Sequence, residues 1–146
     1  MPHQHEVSIL IVEDDAVDAR AIERGLRMQK IGNPVYVAPD GREGLAMLRG
    51  EEGRSKLRRP YLILLDLNMP RMNGLEFLKE LRKDKELTDS IVFVLTTSNA
   101  SEDKEAAYAH HIAGYLEKSD AGATFIQAIQ MLERFVLSVQ FPQGRS

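Results

Sequence analysis

The sequence contains no cysteine. That excludes a disulfide framework, a thiolate metal site and a cysteine nucleophile together, and it agrees with a cytoplasmic location. No apolar run approaches the ~20 residues needed to span a bilayer. Residues Met1 to Glu6 are polar, include His3 and His5, and lack the apolar stretch of a signal peptide. Nor is there an excess of positive charge: 19 Lys and Arg face 22 Asp and Glu, for a net charge of −3. Neither nucleic acid nor an anionic membrane is therefore an expected partner. Internal repeats and low-complexity tracts are also missing.

What is present is the balance of a globular domain, with 43% hydrophobic and 28% charged residues in 146 positions. That length suits one domain with a real core. Short runs rich in Val, Ile and Leu occur at Ser8–Val12, Val35–Ala38, Tyr61–Leu65, Ile91–Leu95 and Gly114–Leu116. Three of them are almost continuously apolar, as strands covered on both faces are. Helical patterns lie between them. Ala16–Gln29 carries Val17, Ala21 and Leu26, Gly41–Arg49 carries Leu45 and Leu48, and Gly74–Lys83 carries Leu75, Leu78 and Leu81. Glu102–His111 is alanine-rich, and Ala121–Ser138 places Phe125, Ile129, Leu132 and Val136 on one stripe. Asn73 three residues before Glu76 has the spacing of a capping box, while Ser101, Glu102 and Asp103 suit a helix N-terminus. The order is βα repeated five times, which right-handed crossovers wind into a parallel sheet with helices on both faces.

Ligands of such sheets sit beyond the carboxyl ends of the strands. Those ends are polar here: Glu13-Asp14-Asp15, Asp66, Thr96-Thr97-Ser98 and Glu117-Lys118. If the first and third strands are neighbours, Glu13, Asp14 and Asp66 converge, and three carboxylates call for a hard divalent cation, Mg²⁺ above all. An Asp carboxylate is a competent nucleophile toward phosphorus. Thr96 offers a hydroxyl and Lys118 a positive charge to phosphoryl oxygens. Each feature alone fits a helix cap or a solvated loop equally well, and the residues by themselves leave both readings open.

At these positions the chain resembles the receiver domain of two-component signalling. The likeness spans about Val7 to Val136 and rests on ordered pieces: Ile9-Leu10-Ile11-Val12-Glu13-Asp14-Asp15, Leu64-Leu65-Asp66-Leu67-Asn68-Met69-Pro70 with Gly74, Leu95-Thr96-Thr97-Ser98, and Gly114-Tyr115-Leu116-Glu117-Lys118. The resemblance implies a doubly wound, flavodoxin-like (βα)5 fold with strand order 2-1-3-4-5, and a receiver domain over residues 7–138 between flexible tails, 1–6 and 139–146. It implies Asp66 as phospho-acceptor, Asp14 as a direct Mg²⁺ ligand with Glu13 assisting, and the Asn68 backbone carbonyl on the metal. Asp15 is then a helix cap, Thr96 the switch hydroxyl, Tyr115 the switch aromatic and Lys118 the partner of the phosphoryl group. The implied partners are a histidine kinase and a downstream protein or phosphotransfer partner. The surface of the fourth helix, fifth strand and fifth helix is where Tyr108 and Ile112 join Tyr115, and where a homodimer would form. The LTTS strand end, the Lys118-Ser119 junction and the long segment before the third strand are similar to single-domain regulators of bacterial phytochrome-type kinases. One departure is Ser119, where most receivers have proline after the lysine; a cis bond there costs ~3 kcal/mol, which leaves its geometry open.

Three rivals are distinguishable. A receiver-like binding module would take no phosphoryl group on Asp66. A phosphatase working through an aspartyl phosphate would want a second acid where Asn68 stands. A flavin-binding domain would want a phosphate-binding loop after the first strand. The basic run Arg54, Lys56, Arg58 and Arg59 has no interleaved aromatics, so it reads as a solvated loop and not as a nucleic-acid surface. His110 and His111 are adjacent and do not share a helix face, so they do not read as metal ligands.

Overall fold

A computed structural model describes residues 7–28, 33–69, 72–96 and 101–117. The expected last helix, Lys118 and both tails lie outside the described residues. Those described form β1 (Ser8–Val12), α1 (Ala16–Met28), β2 (Val35–Ala38), α2 (Gly41–Arg49), β3 (Tyr61–Leu65), α3 (Gly74–Lys83), β4 (Ile91–Thr96), α4 (Ser101–Ala109) and β5 (Gly114–Glu117). The strands make one parallel sheet in the order β2-β1-β3-β4-β5. Strand order reverses between β1 and β3, so their carboxyl ends flank the crevice where such sheets take ligands.

Every residue of β1 and β3 is buried, which explains their uninterrupted apolar runs. Alternation along the strands feeds two layers. Leu10, Val12, Ile63 and Leu65 pack with Leu45 and Leu48 of α2 and with Phe77, Leu78 and Leu81 of α3. Ile9, Ile11, Leu62 and Leu64 pack with Ile22 and Leu26 of α1. The edge strand β2 is less covered, with Tyr36 and Val37 exposed.

Capping fixes where the helices begin. Asp40 caps α2 by accepting the Glu43 N–H at 2.9 Å. Asn73 and Glu76 form the capping box of α3, at 2.9 and 3.0 Å. Two faces differ from the sequence reading. In α1 the buried residues are Ala19, Ile22 and Leu26, while Val17 is 69% exposed and Ala21 is exposed. Val17 and Leu26 lie about two and a half turns apart, on opposite sides of the helix. The fourth helix ends at Ala109, and His111 turns out of it with φ 60.

The amino-end edge of the sheet is laced with charge pairs. Arg49 meets Asp84 at 3.0 Å, Lys56 meets Glu86 at 3.2 Å and Arg59 meets Asp89 at 3.3 Å. Arg54 meets Glu43 at 2.8 Å. Lys56 and Arg59 of the basic run thus lie against the α3–β4 connection, while Arg54 pairs with α2. Arg82 donates from Nε to the His110 carbonyl, from Nη1 to those of Thr88 and Ser90, and from Nη2 to that of His111. One guanidinium thereby ties α3 to the loop before β4 and to the turn before β5. Burial lowers its pKa, opposed by Asp89, yet an arginine stays charged throughout.

Candidate functional site

The backbone ladder sets the two central acids at the crevice. Glu13 donates its N–H to the Ala38 carbonyl at 2.9 Å, and Asp66 donates its own to Val12 at 3.0 Å. Both residues therefore continue the backbone ladder one step beyond their strands. Glu13, Asp14 and Asp66 each bring a carboxylate oxygen within 4.8 Å of the others. Glu13 is 3% and Asp66 6% exposed, whereas Asp14 faces solvent.

Backbone groups orient these carboxylates. The Asp15 N–H donates to Glu13 Oε2 at 3.1 Å, and the Asn68 N–H donates to Asp66 Oδ1 at 3.3 Å. The Asp15 side chain turns away, accepting the N–H groups of Val17 at 2.8 Å and Asp18 at 3.1 Å. It is the cap of α1, as read from the sequence. The two orienting amides were not legible there, because a backbone donor has no residue signature.

Gathering three carboxylates, two of them buried, carries a repulsion and desolvation cost that a nearby positive charge offsets. The donor set is all oxygen, with one open, solvent-facing member. This fits a hard divalent cation that keeps some of its water, and Asp14, Glu13 and Asp66 are the side chains able to hold it. Asn68 follows two residues after Asp66 and its side chain is exposed. Beside it opens a cleft of about 350 Å³ lined by Leu67, Asn68, Met69, Asn73, Leu75 and Asp103, which leaves the loop after β3 reachable from solvent.

Of the remaining predicted residues, Thr96 closes β4 at the same edge of the sheet. Tyr115 sits on β5, half-buried, with its ring 6.5 Å from that of Tyr108 and with Lys104 Nζ 5.7 Å from its centre. Tyr108 is exposed as the surface reading expects, but Ile112 is not part of that surface: it is 7% exposed and belongs to the core. Lys118 and its bond to Ser119 lie outside the described residues. No helix among those described is long and apolar enough to cross a membrane.

This crevice has counterparts. The family model for the response regulator receiver domain matches residues 9–130. Response regulator Rcp1 of Synechocystis sp. is 36% identical over 129 residues, covering 88% of each chain. The phosphorylated cyanobacterial phytochrome response regulator RcpA superposes with a TM-score of 0.83 at 36% identity, covering 94% of this chain and 99% of that one. A Mn²⁺-bound form of Rcp1 gives 0.80 at 33% identity, over 93% and 99%. With the sheet order, the acidic crevice and these matches in agreement, the chain belongs to the response-regulator receiver domains of two-component signalling.

Proposed function

We propose that Asp66 is the phospho-acceptor of this receiver, that Mg²⁺ is its metal, and that a histidine kinase of the phytochrome type is its donor. The observation that carries the reading is the meeting of Glu13, Asp14 and Asp66 within 4.8 Å at the switch point of the sheet. The names of its relatives, a phytochrome regulator among them, support the choice of donor. The Mn²⁺-bound relative supports a divalent cation of the Mg²⁺ kind.

In this reading Asp14, Glu13 and Asp66 hold the cation with the Asn68 carbonyl. When bound, Mg²⁺ supplies charge neutralisation for the transferring phosphoryl group. An Asp66 oxygen forms the bond to phosphorus as the donor's phosphorus–nitrogen bond breaks. The Asn68 N–H holds the other Asp66 oxygen and so orients the attacking one. Thr96 and Lys118 take up the phosphoryl oxygens, and Tyr115 repacks as Thr96 moves, altering the surface of α4 and β5. The domain extends over residues 7–138 and acts in the cytoplasm as a phospho-acceptor that signals by protein contact or onward transfer.

A small-molecule phosphodonor with Mg²⁺ tests this by intact-mass spectrometry. The wild type is expected to gain one phosphoryl group and Asp66→Asn none. Equal labelling of the two proteins, or no labelling of either, would overturn the assignment.

A further inference from the structure

Two helix N-termini press on the loop that follows β3, and each does so through a glycine. A Cβ at Gly74 would fall 2.5 Å from the Leu67 Cα and 2.6 Å from the Asp66 carbonyl oxygen. Both of those atoms are backbone, so no side-chain rotation relieves the clash. The Gly74 N–H meanwhile donates to the Leu67 carbonyl at 2.9 Å. On the other side, a Cβ at Gly41 would stand 2.9 Å from the Met72 carbonyl oxygen and 3.0 Å from that residue's own side chain. A glycine has no other evident use at the first position of α3, where nearly any residue is tolerated by the helix itself.

We propose that Gly74 is a positioning residue of the phosphoryl-acceptor site. Its missing side chain lets α3 seat against the Asp66–Leu67 peptide. That seat fixes both the acceptor carboxylate and the Asn68 backbone, which together form one wall of the cation site. The proposal rests on the reading of Asp66 given above and adds a requirement to it: the acceptor segment is placed by α3 as well as by β3. The capping box at Asn73 and Glu76 pins the first turn of α3, so a displaced Gly74 cannot simply slide along the helix. The strain of any larger residue passes into the acceptor loop instead.

The test measures Mn²⁺ affinity of the full chain by titration, with folding monitored by circular dichroism in chelator. Gly74→Ala is expected to bind Mn²⁺ roughly 10- to 100-fold more weakly while still folded, the range seen when a group that orients metal ligands is disturbed. Gly44→Ala is the matched control, because a Cβ there would meet only side-chain atoms of Phe77 and Val12, at 3.1 and 3.2 Å. It is expected to leave Mn²⁺ affinity near that of the wild type. Wild-type affinity in folded Gly74→Ala, or an equal loss in both variants, overturns the proposal. Should Gly74→Ala fail to fold, the wild type still decides: the Gly74 and Leu67 amide resonances must shift on Mg²⁺ titration, and unmoved resonances reject the idea. Phosphoryl labelling of the same samples separates the two claims. A wild type that binds Mn²⁺ in a Gly74-dependent way but takes no phosphoryl group sinks the acceptor reading alone. A wild type that is labelled while Gly74→Ala keeps full affinity sinks only the positioning role.

Discussion

The two edges of the sheet use charge in opposite ways. At the carboxyl edge Glu13, Asp14 and Asp66 bring like charges together, two of them buried. At the amino edge Arg49, Lys56 and Arg59 each meet an acid, Asp84, Glu86 and Asp89 in turn. Alternating signs hold loops in place at little cost. Gathered carboxylates are instead suited to a cation set among them. Among the described residues, ion pairs between elements therefore mark scaffold, and clustered carboxylates mark the candidate metal site.

The comparison breaks most visibly if the amino edge proves dispensable. Arg82→Ala strips four carbonyls of their common donor, and a loss of about 2–4 kcal/mol in denaturant unfolding is expected. A variant as stable as the wild type would mean that water replaces the guanidinium without penalty. Asp84 gives a sharper and smaller probe. Burial raises its pKa, but hydrogen bonds from the Glu86 N–H and Arg49 more than offset this, and the carboxyl is held below its ordinary value. A depressed folded-state pKa contributes stability above the unfolded value of about 3.9 and loses it as pH falls through the folded one. Asp84→Asn is thus expected to cost about 1 kcal/mol at neutral pH, discounted for partial exposure. The gap from wild type should close in acid-series melts as pH falls through that lowered folded-state value. A gap that persists there would assign the effect to packing.

The smallest effect belongs to the carboxyl edge. Thermal melts in chelator should find Asp14→Asn as stable as wild type or slightly more so, within about 0.5 kcal/mol. Added Mg²⁺ should then stabilise the wild type by binding to it, and the variant much less. A variant destabilised in chelator would show that the acids are scaffold too.

Much of this architecture was legible because burial on both faces writes uninterrupted apolar runs, as in Ile9-Leu10-Ile11-Val12 and Tyr61–Leu65. The acids at the ends of those runs were visible as polar strand ends, but their roles, and Asp15 as a cap, came only with the family resemblance. The face of α1 was not legible, since its thirteen residues mix alanine on both sides and Val17 stands at the exposed first turn. Ile112 read as surface because it follows the end of α4, yet the turn at His111 directs it inward. Arg82 gave no signal at all: its partners are carbonyls 6 to 29 residues away in sequence, brought together only by the fold.

The sheet order has one further consequence. β1 and β3 are two of its three inner strands, with five buried residues each, and they carry Glu13 and Asp66 at their tips. Amide protons of such segments exchange with solvent chiefly when the whole domain opens. The acids proposed to hold a cation are thus rooted in the segments expected to exchange most slowly. In the proposed reading, a passing fluctuation of α4 or of an outer strand would then leave these acids in place.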